Sequence, residues 1–134
     1  MIKDICKILK IDCPKISYDT SHFQSKTMLA QYNFENDTIY LKNTEKNIDN
    51  VFAISHELRH KWQFLHNSDY YFADYKPRSE LNLIEYNLQA AELDANAFTV
   101  IILSKMFGVK PIFPSEEISN AVEKQIPIVL RSLL

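Results

Sequence analysis

The chain has 134 residues, a formal net charge of −2 and 46% apolar residues, values typical of one globular domain covering residues 1–134. Its single glycine excludes the phosphate-binding loops and dinucleotide-binding turns that are built from several glycines. Because 15 Lys and Arg residues nearly balance 17 Asp and Glu residues, the composition also argues against direct binding of nucleic acid.

The start of the chain gives no sign of secretion or membrane insertion. Residues 1–10 mix lysines with apolar residues, unlike the uninterrupted apolar segment of a signal peptide. No apolar stretch approaches the roughly 20 residues that a membrane-spanning helix needs. We therefore expect a cytoplasmic location and no membrane partner. In that compartment Cys6 and Cys13 are expected to be free thiols.

The first third of the chain predicts one short helix and one β-hairpin. Residues 2–10 place their apolar side chains on one side of a helix. Residues 27–34 and 38–42 contain β-forming residues in partial alternation and flank a polar turn, which is typical of a hairpin.

Two long helices are predicted in the middle of the chain. Asn47 or Asp49 can cap the first helix, which runs to about Leu65. Residues 67–79 are rich in aromatic side chains and are expected to form a loop, and the second long helix spans about 80–107.

The C-terminal part predicts one further helix. Gly108 is expected to end the second long helix, and Ser115 is expected to cap the next one. Pro127 is expected to bend or divide that last helix. Helices thus dominate and one small sheet lies early in the chain, so the predicted fold class is α+β.

The first long helix contains an H-E-x-x-H motif, His56-Glu57-Leu58-Arg59-His60. Residues four apart share a helix face, so both imidazoles can bind one ion at the Zn–N distance of about 2.0–2.1 Å. Glu57 lies about 100° around the helix, where its carboxylate can take a proton from a zinc-bound water. The motif predicts Zn²⁺ ligands at His56 and His60 and a general base at Glu57. A helix whose histidines only form hydrogen bonds is the alternative.

A third zinc ligand is sought on the second long helix, because catalytic zinc usually has three protein ligands. Glu92 and Asn96 are four residues apart and share a face, whereas Asp94 lies about 200° away from Glu92. We expect only one acid to face the histidine helix. Glu92 is preferred, since Asn96 beside it could orient a ligating histidine from the second shell of the site. Asp94 as the ligand and two solvated acids are the alternatives.

The two motifs together resemble a known family. The residues at 56–60, followed by Glu92-x-x-Ala95-Asn96-x-Phe98, are similar to gluzincin-type metallopeptidases, and most of all to the ImmA/IrrE family. The resemblance covers roughly residues 27–107. Members of this family are small intracellular zinc metallopeptidases, often associated with phages or mobile elements.

The resemblance implies a zincin-like domain, mostly helical, with a small hairpin or sheet beside the motif helix. It implies that His56, His60 and Glu92 bind zinc and that Glu57 is the general base and acid. Several members cleave a transcriptional repressor, so a protein or peptide substrate of that kind is expected.

The chain departs from the family pattern, H-E-x-G-H followed by E-x-x-A-(N/D)-x-F-A, at two positions. Arg59 replaces the glycine and Thr99 replaces the last alanine. Arg59 lies off the metal-facing edge by periodicity, so we expect it to alter packing or to add charge near the rim of the cleft.

Peptide hydrolysis would need two further features. A peptide could add as a strand along residues 27–34 or 38–42. A donor is also needed for the developing oxyanion. The candidates from sequence are His66, Tyr86 and the tyrosines of the aromatic loop, Tyr70, Tyr71 and Tyr75.

Two other functions are considered. One is a non-catalytic zinc-binding or protein-interaction module that keeps the same fold. The other is a metal-independent ribonuclease that uses Arg59 and His66, against which the hairpin and the acidic balance argue.

Overall fold

Five α-helices and a three-stranded sheet form the structure, a computed structural model that describes all residues 1–134. The helices are α1 (Ile2–Leu9), α2 (Ile48–Phe72), α3 (Leu83–Asn87), α4 (Ala90–Phe107) and α5 (Glu116–Ser132). The strands are β1 (Lys15–Ser17), β2 (Ala30–Asn33) and β3 (Thr38–Leu41), and a 3-10 turn covers Arg78–Glu80. The predicted α+β class with a majority of helix is confirmed.

The sheet has the strand order β1-β3-β2, so β3 is its central strand. The predicted hairpin is confirmed: β2 and β3 pair antiparallel, with Tyr32 opposite Ile39. Strand β1 was not predicted. It pairs in parallel with the other edge of β3, with Ile16 opposite Ile39. Because both edges of β3 are occupied, the expectation that residues 38–42 could offer a free edge is wrong. The strand β2 keeps one edge free.

Helix α2 begins where the sequence predicts and ends later. The side chain of Asn47 accepts the backbone N–H of Asn50 at 2.9 Å and caps the helix. The helix changes direction at Asn67, which has non-helical φ and ψ of −162° and 69°, and continues to Phe72. Phe72 stacks on Phe64, with ring centroids 4.1 Å apart. This stacking stabilises about two helical turns beyond the predicted end of α2, in a stretch whose polar residues favour a loop.

The predicted helix over 80–107 is interrupted before its middle. Asn82 caps α3 through a capping box with Glu85, and Gln89 has an extended conformation that separates α3 from α4. The side-chain amide of Gln89 bonds both the N–H and the C=O of Lys76, at 2.7 and 3.0 Å. This tie to the preceding loop stabilises the break. Gly108 ends α4 in the left-handed region at φ 65°, as predicted.

Helix α5 completes the fold. Its cap is Ser115, as predicted, whose hydroxyl accepts the N–H of Ile118 at 3.1 Å. Pro127 lies inside the helix and does not divide it.

Helix α4 lies between α2 and α5 and is the most buried element. Its fully buried alanines, Ala91, Ala95 and Ala97, allow the neighbouring helices to approach closely. Strand β2 packs on the other side of α2. Cys6 is buried and Cys13 is exposed, and no disulfide joins them in this structure. None of the helices has the length and apolar character needed to cross a membrane.

Candidate metal centre

Helix α2 presents the motif side chains where it faces α4 and β2. One ligand atom from each of His56, Glu57 and His60 lies within 4.8 Å of the other two. The two imidazoles are largely buried, as expected for the middle of a helix that packs on both sides. This cluster brings together two nitrogen donors and one carboxylate.

Glu92 of α4 closes the cluster from the opposite side. Its Oε1 lies 3.1 Å from Nε2 of His56, and its Oε2 lies 3.1 Å from Nε2 of His60. Ligand atoms at 2.0–2.1 Å from a tetrahedral zinc ion are separated by about 3.3–3.4 Å. The three side chains are therefore spaced closely enough to share one ion, and two imidazoles with a carboxylate are a donor set that suits zinc.

The charges of this cluster are strongly coupled. Burial lowers the pKa of His60, but the Glu92 carboxylate, with a smaller effect of Glu57, outweighs burial and raises the pKa to about 9. Burial raises the pKa of Glu92, but the imidazoles of His56 and His60 hold it well below its usual range. Without metal, the centre therefore holds an ionised carboxylate and a proton that a bound cation would replace.

The outer nitrogens of the two histidines differ. Nδ1 of His60 lies 2.8 Å from Oε1 of Gln63, a buried side chain one turn further along α2. Nδ1 of His56 is buried without a hydrogen-bond partner. The two candidate ligands are thus held by different means, and Gln63 is a site residue that the sequence reasoning missed. Its spacing of three residues from His60 was the available signal.

Glu57 is fixed by the edge strand. Its Oε1 accepts the backbone N–H of Tyr32 at 2.8 Å, which shows that this N–H points away from β3 and towards α2. Its Oε2 lies 3.9 Å from Nε2 of His60. The carboxylate therefore stands beside the imidazoles with one oxygen held and the other directed to the centre.

Asp94 lies in a separate ion pair. It accepts hydrogen bonds from Nε of Arg59 at 2.7 Å and from Nη2 of Arg59 at 3.0 Å. The expectation that only one of the two acids faces α2 is wrong, because the long Arg59 side chain reaches the far flank of α4. Arg59 is also not at the rim of the cleft: it is 1% exposed. A guanidinium buried in this way is inaccessible to RNA, which removes the basis for the ribonuclease alternative.

Asn96 does not contact a candidate ligand histidine, as the sequence predicted it would. Its side-chain amide donates to Oδ1 of Asn87 at 3.2 Å, on α3. The sequence spacing placed Asn96 on the same face as Glu92, but the end of α3 covers that part of the face. The contact expected from Asn96 is made by Gln63.

A cleft of about 530 Å³ opens beside the histidines. Its lining residues are Gln31, Tyr32, Phe34, Glu57, His60, Phe64, Phe72, Tyr75 and Tyr86. The hydroxyl of Tyr75 donates to Oε2 of Glu92 at 3.1 Å and lies 2.9 Å from the hydroxyl of Tyr86. Burial and the Glu92 carboxylate raise the pKa of both phenols above the usual range, so both remain protonated.

The other oxyanion candidates lie elsewhere. His66 is exposed and stacks on Trp62, and its Nδ1 lies 2.9 Å from the backbone carbonyl oxygen of Trp62. Tyr71 donates to Oδ1 of Asp94 at 3.3 Å, and Tyr70 is largely exposed. Of the candidates named from sequence, only Tyr75 and Tyr86 line the cleft.

Comparisons of the chain with models of known families, with curated proteins and with solved structures found no match. The resemblance to ImmA/IrrE peptidases therefore depends on the motif residues alone.

Proposed function

We propose that this protein is a zinc-dependent peptide hydrolase. The observation that carries the proposal is the joint placement of His56, His60 and Glu92 at 3.1 Å separations, with the free oxygen of Glu57 directed to the same point. Two members of the arrangement, Glu57 and His60, line an open cleft. A purely structural histidine cluster would need neither the adjacent carboxylate nor the cleft.

The proposed chemistry assigns a distinct role to each side chain. His56, His60 and Glu92 would hold the zinc ion, which when bound supplies a Lewis acid that polarises the peptide carbonyl and acidifies water. Oε2 of Glu57 would take a proton from the attacking water and pass it to the leaving amine. The Tyr32 N–H holds Oε1 and thereby keeps this carboxylate at the centre.

Tyr86 is the proposed donor to the oxyanion. Tyr75 already donates to Glu92, so its hydroxyl is committed to positioning that ligand. Tyr86 lines the cleft with its hydroxyl 2.9 Å from that of Tyr75, and it could turn its proton to a substrate oxygen.

The cleft wall supports a peptide with an apolar side chain as the substrate. Phe34, Phe64 and Phe72 form a continuous stack, with ring centroids 4.2 and 4.1 Å apart. Strand β2 has no neighbouring strand on its outer edge, where Glu57 accepts the Tyr32 N–H, and an extended peptide could pair along the rest of that edge. The resemblance to ImmA/IrrE peptidases adds the proposal that the peptide belongs to a transcriptional repressor. The free thiols of Cys6 and Cys13 support a cytoplasmic location.

Metal content and peptide cleavage, measured separately, test the proposal. We expect near-stoichiometric zinc and cleavage of a peptide library after apolar residues in the wild-type protein. Glu57→Gln should keep the zinc and lose cleavage by about 10²–10⁴-fold, because a base is removed but no ligand. Asp49→Asn, the same change at an exposed position of α2, is the matched control and should keep both.

The same measurements distinguish the alternative of a non-catalytic zinc-binding module. Stoichiometric zinc without cleavage of any peptide by the wild-type protein would support that module and contradict the hydrolase. Less than about 0.3 zinc per chain after supplementation would contradict both, because tight zinc sites are close to stoichiometric.

A further inference from the structure

Gln63 connects the candidate metal centre with the Arg59–Asp94 ion pair. It is fully buried between α2 and α4, and all of its polar atoms are engaged. Oε1 lies 2.8 Å from Nδ1 of His60, and Nε2 donates to the carbonyl of Ala91 at 2.9 Å and to Oδ2 of Asp94 at 2.8 Å. One side chain thus contacts both of the charged clusters that α2 and α4 share.

The orientation of the Gln63 amide follows from its partners. A carbonyl oxygen and a carboxylate oxygen can only accept hydrogen bonds, so the NH₂ group must face Ala91 and Asp94. The opposite orientation would place Oε1 against two acceptors in a dry environment, which is strongly unfavourable. Oε1 must therefore face His60, and an oxygen can only accept from an Nδ1 that carries a proton.

Arg59 fixes the position of the Asp94 carboxylate. It binds both carboxylate oxygens through Nε and Nη2, and its side chain is 1% exposed. A guanidinium is permanently charged and matches a carboxylate in two parallel hydrogen bonds. The Asp94 carboxylate is therefore held in a fixed position, with Oδ2 directed to Gln63.

We infer that Gln63 is a positioning residue that fixes His60 as the Nδ1–H tautomer and leaves the Nε2 lone pair for the metal. A neutral imidazole has one protonated and one free nitrogen, and the hydrogen bond on one side selects the other as ligand. Nε2 is the nitrogen that faces Glu92 at 3.1 Å. His56, whose Nδ1 has no partner, lacks this control. The inference rests on the proposed metal site.

Two substitutions of buried amides test the inference. Gln63→Met keeps the volume but removes the acceptor, and zinc should bind about 10–100-fold more weakly in competition with a chelator. Asn96→Leu is the control, because the sequence predicted that this amide would orient a histidine, whereas in the structure it bonds Asn87. This variant should bind zinc within about threefold of the wild-type affinity. Equal affinity of Gln63→Met and wild type, with zinc bound to both, would overturn the inference. Failure of the wild type to bind zinc would overturn the proposed site instead.

Nuclear magnetic resonance of the zinc-loaded wild type gives a readout that does not depend on a folded variant. Correlation of imidazole ¹⁵N and ¹H resonances should show a slowly exchanging proton on Nδ1 of His60. In Gln63→Met, if it folds, the exchange of that proton should become fast, which a merely structural role would not produce. A proton on Nε2 of His60 in the wild type would contradict the inference.

Discussion

Two buried carboxylates on α4 lie two residues apart and are neutralised in different ways. Asp94 pairs with Arg59, a permanent cation, and accepts further hydrogen bonds from Gln63 and Tyr71. Glu92 contacts two imidazoles, and one of them, His60, lines a cleft. Both carboxylates are almost fully buried, so burial alone does not distinguish a structural site from a chemical one.

The difference lies in whether the partner can be exchanged. The Arg59–Asp94 pair is closed to solvent, because both side chains are 1% exposed, and we assign it the role of holding α2 and α4 together. The Glu92 cluster can exchange its proton for a divalent cation, because imidazoles become ligands once they are neutral. A buried carboxylate is a better indicator of function when its counter-charges are histidines than when it is paired with arginine.

The largest expected contrast is between removing the charge of Asp94 and removing that of Glu92 in chelator-treated protein. Asp94→Asn should lower the free energy of unfolding by about 3–5 kcal/mol, because Arg59 is left buried without a counter-charge. Glu92→Gln should cost less, since both imidazoles can become neutral. Urea unfolding measures both values. A cost of Glu92→Gln equal to or above that of Asp94→Asn would contradict the distinction between the two carboxylates.

The second contrast is in pH dependence without metal. Unfolded His60 has a pKa near 6.5, and the folded value is about 9. The stability that protonated His60 contributes is therefore complete below pH 6.5 and is lost as the pH rises towards 9, on the order of 3 kcal/mol in total. Urea unfolding between pH 6 and 9 should show this decline in the wild type and a much flatter profile in Glu92→Gln. A rise in wild-type stability over that range would contradict the coupling.

The smallest contrast is between two tyrosines that each donate to one carboxylate. Tyr71→Phe removes the 3.3 Å bond to Asp94 and should cost about 1 kcal/mol of stability with zinc affinity unchanged. Tyr75→Phe removes the 3.1 Å bond to Glu92 and should weaken zinc binding as well. Chelator competition and urea unfolding separate these results. Weaker zinc binding in Tyr71→Phe than in Tyr75→Phe would reverse the assignment.

Local signals predicted much of the fold. The caps at Asn47 and Ser115, the end of α4 at Gly108 and the hairpin were all readable because each depends on neighbouring residues. Strand β1 could not be predicted from the sequence. Its three residues show no alternation of polar and apolar side chains, and they form a strand only because β3 offers an edge for pairing. The extension of α2 to Phe72 depends on an aromatic stack that the sequence does not specify.

The sequence predicted the site residues only where the spacing along a single helix determines their position. The spacing of His56 and His60 follows from helix geometry, and the preference for Glu92 followed from its neighbours. The choice between Asn96 and Gln63 depends on which residues cover each helix face, and the end of α3 covers Asn96. The pairing of Arg59 with Asp94 depends on the reach of a long side chain, which a helical periodicity argument ignores.

The change of direction at Asn67 separates the part of α2 that carries the motif from residues that form part of the cleft wall. His56, Glu57 and His60 all precede it, whereas Phe72 and Tyr75 of the cleft wall follow it. A substitution at Phe72 can reshape the wall while the buried histidine segment keeps its packing against α4. Variation in what the cleft accepts can therefore accumulate at Phe72, whereas a change at Tyr75 would also disturb Glu92, which would hold the metal.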